Sequence, residues 1–236
     1  NAVKVCHENF FSHIPSIDVF LVGCGVVGSE LLAQFQRQQQ FLQQRNVKLK
    51  VYGIANSKAL LLDEKGIDLS QWQQQMQHAK AQFSVADLSR FAQEQHLTNP
   101  VLIDCSSAEP VANLYVDFLK AGFHVVTPNK KANSGSLENY KSLKKLAYKR
   151  GVKFLYETNV AAGLPVINTL QDLMLSGDKV LRIEAVLSGS MNYIFSELEK
   201  GAPFSEVVKI AKEKGYTEPD PRDDLSGMDV GRKILI

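Results

Sequence analysis

The stretch Ile17-Asp18-Val19-Phe20-Leu21-Val22-Gly23-Cys24-Gly25-Val26-Val27-Gly28 decides the fold of this chain. Its first half is a short apolar run of the kind found in a buried parallel strand. Its second half leads into a run from Ser29 to about Gln44 whose apolar residues recur near one helical face, which predicts a helix. Strand, G-x-G-x-x-G and helix in direct succession are the sequence context of a dinucleotide-binding turn.

Each part of this turn has a distinct role in binding a pyrophosphate. Gly23 permits the tight turn, Gly25 lets the backbone approach the phosphates, and Gly28 lets helix and strand pack closely. Val26 and Val27 lie within this turn, just before the predicted helix, whose N-terminus faces the phosphates. We therefore predict that these five residues bind the cofactor; a plain flexible glycine turn is the alternative.

The second strand, residues 47–55, ends in Asn56-Ser57-Lys58. A site specific for NAD usually places Asp or Glu here, where it binds the ribose 2′-hydroxyl. An amide, a hydroxyl and a cation stand here instead, which favours NADP(H), with NAD(H) possible. We predict that Asn56 and Lys58 contact the cofactor, and a solvated loop lysine is the alternative reading of Lys58.

The alternation of strands and helices continues to about residue 150. The predicted strands are residues 101–105, 123–126 and 152–156, and the intervening helices are 110–121 and 137–150, after a helix-rich region over 59–99. Ser106, Ser107 and Lys130 follow strand ends, the edge where doubly wound sheets bind ligands. After a linker over residues 1–16, the sequence therefore predicts a doubly wound α/β sheet of Rossmann type over 17–150, with Ser106 and Ser107 at the cofactor and one of Lys130 and Lys131 facing the nicotinamide.

A second domain, of α+β type, is predicted over residues 151–236. It contains a helix over 165–175, a strand over 180–188 in which apolar and polar residues alternate, and further helices that include 204–214. A loop stiffened by two prolines, GYTEPDPRDD (215–224), then precedes a helix predicted to begin at Ser226. Its four carboxylates and Lys233, one turn beyond Asp229, indicate a substrate site. The alternative is a capping box at Ser226 and Asp229, with Lys233 as an ion-pair partner.

The composition is that of an ordinary globular protein. The chain has 236 residues, 44% hydrophobic and 22% charged, and a net charge of +2, which gives no electrostatic reason to expect nucleic acid or an anionic membrane as a partner. Cys6, Cys24 and Cys105 are too widely spaced for a zinc or disulfide motif, so we expect reduced thiols and a cytoplasmic protein. Because the first residue is Asn, we also expect that the chain was cut from a longer one.

These motifs together resemble homoserine dehydrogenase, in the form found at the C-terminal side of bifunctional aspartokinase–homoserine dehydrogenases of the threonine-regulated type. The resemblance runs from about Ile17 to the end of the chain. The matching motifs are GCGVVG (23–28), ANSKALL (55–61), TPNKKAN (127–133), YETNVAAGLP (156–165), LSGSMNYIF (187–195) and GYTEPDPRDDLSGMDVGRK (215–233). The last of these is long and nearly diagnostic.

The resemblance implies a reversible NAD(P)H-dependent reduction of L-aspartate 4-semialdehyde to L-homoserine, a step of threonine and methionine biosynthesis. It implies that Lys233 transfers the proton and that Lys130 is a second active-site lysine. It further implies that Glu218, Asp224 and Asp229 bind or orient the amino-acid substrate.

The resemblance also implies a monovalent cation, usually sodium, held by Glu157 and the backbone carbonyls of Val160, Ala162 and Leu164. Ala161 departs from the family pattern VGAG, where glycine is expected. The family implies a homodimer and fusion to an aspartokinase. Family members continue beyond the position of Ile236, so we expect the second domain to be truncated here.

Two other functions compete with this one. A phosphorylating semialdehyde dehydrogenase would need a nucleophilic cysteine, and Cys105 at a strand end has no basic neighbour in sequence to activate it. An NADP-binding regulatory or inactive fragment, without turnover of its own, is the alternative from a different class.

Overall fold

The computed structural model describes residues 16–79, 83–217 and 220–236. The chain divides into two compact units, one that ends at Tyr156 and one that begins at Glu157. The sequence pattern placed this change at about residue 150. The predicted linker, apart from Ser16, and the predicted substrate ligand Glu218 lie outside the described residues.

The first unit is an α/β fold built on a six-stranded sheet with the order β3-β2-β1-β4-β5-β6. All neighbouring strands are parallel except β3, which is antiparallel to β2. The strands are β1 (Ser16–Val22), β2 (Lys48–Ala55), β3 (Leu60–Leu62), β4 (Pro100–Asp104), β5 (His124–Val126) and β6 (Phe154–Leu155). The helices are α1 (Val26–Gln44), α2 (Trp72–His78), α3 (Val85–Glu94), α4 (Glu109–Ala112), α5 (Tyr115–Lys120) and α6 (Leu137–Arg150).

The apolar run predicted as a strand forms β1, which is central in the sheet and is buried over its last five residues. Its side chains pack with Leu32 of α1 and Ile54 of β2 in one core cluster. The chain order of the strands reverses between β1 and β4, which are neighbours. The crevice at the carboxyl ends of such a pair is where open α/β sheets bind ligands.

Two details of this unit differ from the sequence prediction. The helix predicted over 110–121 is two short helices, α4 and α5, separated at Asn113 and Leu114. The strand β3 was not predicted, because three consecutive leucines show no alternation that would distinguish a strand. It forms because its backbone pairs with the exposed edge of β2, which is a tertiary contact.

Among the described residues of the second unit, all regular secondary structure is helical. It begins with a 3₁₀ turn (Glu157–Asn159), and its helices are α7 (Ile167–Leu175), α8 (Gly189–Glu199), α9 (Phe204–Glu213), α10 (Pro221–Leu225) and α11 (Met228–Leu235). Ile194 of α8 packs against Val207 and Ala211 of α9 in a small core. The amphipathic spacing in each helix produces this contact.

The strand predicted over residues 180–188 is wrong for this structure. Residues 179–188 have no regular secondary structure, and the side chains of Leu181 and Val186 are 94% and 83% exposed. A strand requires a neighbouring strand for its backbone hydrogen bonds. None of the described residues supplies one, so the alternating pattern alone does not produce a strand.

The acidic stretch also differs in detail from its prediction. Residues of the loop form α10, for which Asp220 is the N-cap, and the next helix begins at Met228 after Gly227, whose φ of 74° is left-handed. The Ser226 hydroxyl accepts a hydrogen bond from the Met228 N–H, at 3.4 Å. The predicted capping box therefore does not form, because the turn at Gly227 shifts the helix start.

Candidate active site

A cavity of about 860 Å³ lies at the carboxyl ends of β1, β2 and β4. Most of the predicted cofactor residues contribute to its lining: Gly23, Gly25, Asn56, Lys58, Ser106 and Ser107, together with Cys24, Ser57 and Cys105. Gly28, Val26, Val27 and Lys130 are not among the lining residues. The two valines stand in the first turn of α1, where backbone N–H groups have no partner within the helix, and both residues are exposed.

The three glycines of the turn are required for different physical reasons. Gly23 has a φ of +94°, and a Cβ there would lie 2.6 Å from the Ser106 backbone nitrogen. A Cβ on Gly28 would lie 1.9 Å from the Gly23 carbonyl oxygen, so α1 could not pack against the turn. A Cβ on Gly25 would meet no protein atom within 4 Å, which leaves space over the turn for a ligand.

The polar residues after β2 form a tight turn beside the cavity. The Asn56 side-chain oxygen accepts hydrogen bonds from the N–H groups of Lys58 and Ala59, both at 2.8 Å. This leaves the Lys58 side chain exposed at the cavity. None of the described residues that line the cavity is acidic, and Lys58 is the one charged residue among them.

Cys105 lies in the cavity wall, but it lacks the character of a nucleophile. Burial, together with the nearby Asp104 and Cys24, raises the pKa of its thiol to about 12. Burial likewise raises the pKa of Cys24 to about 11. Since the thiolate is the reactive form, the structure gives no support to a cysteine-dependent semialdehyde dehydrogenase.

Lys130 lies in a turn that follows β5. Its carbonyl oxygen accepts hydrogen bonds from the N–H of Ser134 at 2.9 Å and from the Ser134 hydroxyl at 2.8 Å. The residues on either side of it, Asn129 and Lys131, are joined by a bond from the Lys131 N–H to the Asn129 side-chain oxygen, at 3.1 Å. The backbone of Lys130 is therefore fixed although the residue stands in a loop.

A second cavity, of about 590 Å³, lies in the second unit. Three of the residues predicted from the acidic stretch line it: Asp224, Asp229 and Lys233. The other residues that line it belong to the quoted motifs but were not predicted as site residues: Gly189, Ser190, Tyr193, Gly215, Tyr216 and Thr217. Helices α8, α10 and α11 and the segment that follows α9 bring them together.

Lys233 makes two strong contacts at this cavity. Its ammonium nitrogen lies 2.6 Å from Oδ2 of Asp229, one turn earlier on α11, and donates a hydrogen bond of 2.7 Å to the Leu187 carbonyl oxygen. The i,i+4 ion pair that was predicted as the alternative to a substrate site is therefore present. Its two side chains are largely buried. An ammonium has three N–H donors, so one more is available for a ligand in the cavity.

Asp224 is a second buried carboxylate at this cavity. Its Oδ1 accepts a hydrogen bond of 2.7 Å from the Ser190 hydroxyl, which lies 2.9 Å from the hydroxyl of Ser188. Ser188 is also the N-cap of α8 and accepts from the Met191 N–H. The motif LSGSMNYIF contained this signal, since serine before a helical run marks an N-cap.

Glu157 caps a helix in this structure. Its two carboxylate oxygens accept hydrogen bonds from the N–H groups of Ile167 and Asn168, both at 2.8 Å, at the start of α7. A carboxylate has about four acceptor sites, so these two bonds leave room for a cation. Ala161 and Ala162 have φ values of 60° and 52°. This backbone costs alanine about 1–2 kcal/mol per residue, which explains why glycine suits position 161.

The described residues hold neither a metal cluster nor a membrane span. Within that part of the chain, no three His, Cys, Asp or Glu residues are grouped as a metal would require. The same residues contain no helix that is both long and apolar enough to cross a bilayer.

Comparison with known proteins identifies the family. Residues 23–157 match the family model described as "Homoserine dehydrogenase, NAD binding domain", and residues 165–236 match the model described as "Homoserine dehydrogenase". A bifunctional aspartokinase/homoserine dehydrogenase of Haemophilus influenzae is 51% identical over 235 residues, which are 100% of this chain but 29% of that protein. The chain thus spans less than a third of the length of that relative.

Two solved structures are also similar. Homoserine dehydrogenase from Thermoplasma acidophilum has a TM-score of 0.75 and 26% identity, over 92% of this chain and 66% of that one. A mutant of a hyperthermophilic archaeal homoserine dehydrogenase, solved in complex with NADPH, has a TM-score of 0.77 and 25% identity, over 94% and 68%. The chain belongs to the homoserine dehydrogenase family, and its first unit is the NAD(P)-binding domain of that family.

Proposed function

We propose that the protein catalyses the reversible NAD(P)H-dependent reduction of L-aspartate 4-semialdehyde to L-homoserine, a step of threonine and methionine biosynthesis. The observation that carries the proposal is the ammonium of Lys233, on a largely buried side chain, held by Asp229 and the Leu187 carbonyl at the wall of a cavity. The alternative, a fragment that binds NADP without turnover, has no specific observation in its favour.

Lys233 acts as the general acid in this proposal. When bound, the reduced nicotinamide supplies the hydride to the aldehyde carbon. The aldehyde oxygen then gains negative charge and needs a proton donor beside it. An ammonium stabilises that charge and can donate the proton, and general acid catalysis of this kind contributes about 10²–10⁴-fold. Asp229 and the Leu187 carbonyl hold the ammonium in place while its third N–H faces the substrate.

The carboxylates at the cavity bind the other end of the substrate. Asp224 and Asp229 are buried and line the same cavity as Lys233. A carboxylate pairs with the α-ammonium of an amino acid and repels a substrate that has only a carboxylate. We assign Glu218 to the same task from its place in the family motif. Lys130 is assigned as the second active-site lysine on the same basis.

We infer that NADP(H) is preferred and that NAD(H) is possible. Lys58 provides a cation at the end of β2, and no acidic side chain among the described residues lines the crevice to repel a 2′-phosphate. Gly23, Gly25, Gly28 and the N–H groups of Val26 and Val27 would hold the pyrophosphate, with Asn56, Ser106, Ser107 and Lys130 at the rest of the cofactor. An archaeal relative was solved in complex with NADPH, which supports NADPH as a cofactor here without comparing it with NADH.

A monovalent cation, sodium, is also part of the proposal. Its ligands would be Glu157 and the carbonyl oxygens of Val160, Ala162 and Leu164, which are the hard oxygen donors such a cation takes. The role of the ion would be to stabilise the turn that leads into α7, where two left-handed alanines raise the backbone energy.

The protein as a whole is proposed to be a cytoplasmic homodimer fused to an aspartokinase. The fusion is supported by the bifunctional relatives, of whose length this chain spans 29% in the first two. The dimer and the location follow from the family resemblance and the composition. Gel filtration of the natural full-length protein would test the oligomer.

The activity is tested with the protein in its full natural length. NADPH oxidation is followed spectrophotometrically with L-aspartate 4-semialdehyde, and the product is identified as homoserine. We expect turnover that depends on both substrates. NADPH binding without turnover would contradict the proposal and favour the regulatory alternative.

A further inference from the structure

Asp104, the last residue of β4, is a completely buried carboxylate that the proposed mechanism does not use. Its Oδ2 accepts hydrogen bonds from the Tyr115 hydroxyl at 2.6 Å and from the Asn129 side-chain amide at 3.0 Å. Its Oδ1 accepts from the Ser106 N–H at 2.8 Å. These donors are all neutral. Burying a carboxylate raises the free energy of the folded state unless hydrogen bonds satisfy it. Moving any of the three donors away from Asp104 is therefore unfavourable, and this fixes their positions.

One arm of this network fixes the loop that carries Lys130. The Asn129 amide that donates to Asp104 also donates to the Ala108 carbonyl, at 3.1 Å. The oxygen of the same side chain accepts from the Lys131 N–H. Asn129 thus sits between Asp104 and the residue after Lys130.

The backbone before Lys130 is tied to the same strand end. The Asn129 N–H donates to the Thr127 hydroxyl at 2.8 Å, and that hydroxyl donates to the Asp104 carbonyl oxygen at 2.9 Å. Thr127 and Asn129 are both buried. The position of Lys130 is therefore set on both sides by groups that are anchored at Asp104.

The other arm reaches the cofactor turn. Asp104 pairs in register with Val22, the last residue of β1, and the Cys105 N–H donates to the Val22 carbonyl at 2.7 Å. The Ser106 nitrogen, which Asp104 holds, is the atom that a Cβ on Gly23 would strike. The same carboxylate thus connects the wall of the phosphate turn to the Lys130 loop.

We propose that Asp104 is a positioning residue for the reductase reaction, which sets the Lys130 loop against the cofactor turn through the side chain of Asn129. This inference rests on the proposed function, in which Lys130 serves the active site. Asp104 itself touches neither substrate nor cofactor in this proposal. It acts by orienting the loop, much as a supporting shell orients catalytic groups elsewhere.

The substitution Asp104→Asn separates the two arms. It keeps an oxygen that can accept from the Ser106 N–H, but it turns an amide towards the amide of Asn129, so that two donors face each other. We expect NADPH affinity to change less than about threefold while kcat falls about 10–100-fold, since small misplacements of active-site groups cost that much. Hydrogen–deuterium exchange over residues 127–134 should rise at the same time.

A second variant tests the contact itself. In the double variant Asp104→Asn/Asn129→Asp, the amide now at position 104 can donate to the carboxylate now at position 129. The bond to the Ala108 carbonyl is lost in Asn129→Asp and in the double variant alike, so comparing these two cancels that loss. We expect kcat to recover at least about threefold over Asp104→Asn, as coupled neighbours do in a double-mutant cycle. If the separate effects of Asp104→Asn and Asn129→Asp on kcat simply multiply in the double variant, the proposal is overturned.

Asp18→Asn is the matched control. Asp18 is also a buried aspartate, 2% exposed, and accepts from the Ser16 hydroxyl at 2.6 Å, but it lies near the opposite end of the sheet, at the start of β1. We expect a comparable loss of thermal stability with kcat unchanged. An equal loss of kcat in both variants would mean that Asp104 is merely structural. If the wild-type protein turns over no aspartate semialdehyde, the proposed function fails, and the exchange measurement still decides: unchanged protection over 127–134 overturns the positioning role.

Discussion

The ammonium of Lys233 lies 2.6 Å from the carboxylate of Asp229, and the two side chains are only 18% and 6% exposed. Lys209 and Glu213 have the same i,i+4 spacing on α9, yet their charged atoms are 4.0 Å apart and their side chains are 77% and 64% exposed. Identical spacing thus produces a solvated surface pair in one helix and a desolvated pair at a cavity in the other. Burial makes the pair of Lys233 and Asp229 suited to catalysis, because charges interact more strongly away from water.

Lys233→Ala removes the proposed general acid. We expect kcat for aspartate semialdehyde reduction to fall by about 10²–10⁴-fold, while NADPH affinity stays within error of the wild type. Steady-state kinetics and fluorescence titration of NADPH measure the two quantities. Lys209→Ala is the control and should leave both unchanged. A collapse of NADPH affinity in the first variant would show that its assigned role is wrong.

Asp229→Asn leaves the Lys233 ammonium with the Leu187 carbonyl and a neutral amide. We expect the free energy of unfolding to fall by about 1.5–3 kcal/mol, the range for hydrogen bonds to charged groups, and kcat to fall as well. Urea denaturation measures the first effect. The same change in the exposed pair, Glu213→Gln, should cost less than about 1 kcal/mol. Equal costs in the two pairs would contradict the importance of burial.

Gly25→Ala and Gly28→Ala test two different roles of the glycine turn, which are space for the ligand at Gly25 and close packing at Gly28. The Cβ of the first meets no protein atom within 4 Å, so the variant should fold with an unchanged melting temperature but bind NADPH more weakly. The Cβ of the second meets the Gly23 carbonyl at 1.9 Å, so it should lose about 1–3 kcal/mol of stability or more. Normal NADPH affinity in Gly25→Ala would argue against a phosphate over this turn.

Lys58→Ala tests the preference for NADP(H). Loss of a charge-assisted contact to the 2′-phosphate should weaken NADPH binding about tenfold and leave NADH binding unchanged. Isothermal titration with each nucleotide measures this. Lys48→Ala, at the opposite end of β2, is the control. Equal weakening for NADPH and NADH would show that Lys58 does not read the 2′-phosphate.

We expect the imidazole of His124 to make the unfolding free energy depend on pH. Its Nδ1 accepts a hydrogen bond from the Lys153 N–H at 2.9 Å, and burial and the Lys153 charge lower its pKa below the ordinary 6.5. The folded state therefore favours the neutral ring, so its contribution is complete above pH 6.5 and is lost as the pH falls through the lowered pKa. In His124→Asn, whose amide oxygen can accept the same bond, the unfolding free energy should fall less on acidification. An identical fall in both proteins, measured by urea denaturation, would refute this.

Much of the first unit was predictable because its signals are local. The apolar run before Gly23 predicts β1, and α6 begins and ends where its pattern predicted, with Ser136 as the N-cap and Gly151 after the last residue. The break between α4 and α5 has no such signal. Nor does β3, whose pairing with β2 depends on residues far from its own sequence window.

The second unit shows the limit of pattern alone. Residues 180–188 alternate as a strand should, but an alternating segment becomes a strand only when another strand satisfies its N–H and C=O groups. The same holds for the candidate site. Spacing predicted that Asp229 and Lys233 share a helix face. It did not indicate that the Lys233 ammonium would also bind the carbonyl of Leu187, which is 46 residues earlier in the sequence but only 2.7 Å away.

The sequence by itself determined the residue types of the chemistry: three glycines at a turn, a lysine after β2, and a lysine among carboxylates on one helix. These follow from short-range sterics and helical periodicity, which a few neighbouring residues dictate. The tertiary structure decided which of these groups are buried and what holds them, including the carboxylate of Asp104 between two loops. Burial and long-range hydrogen bonds depend on how distant segments pack, and packing is a property of the folded chain as a whole.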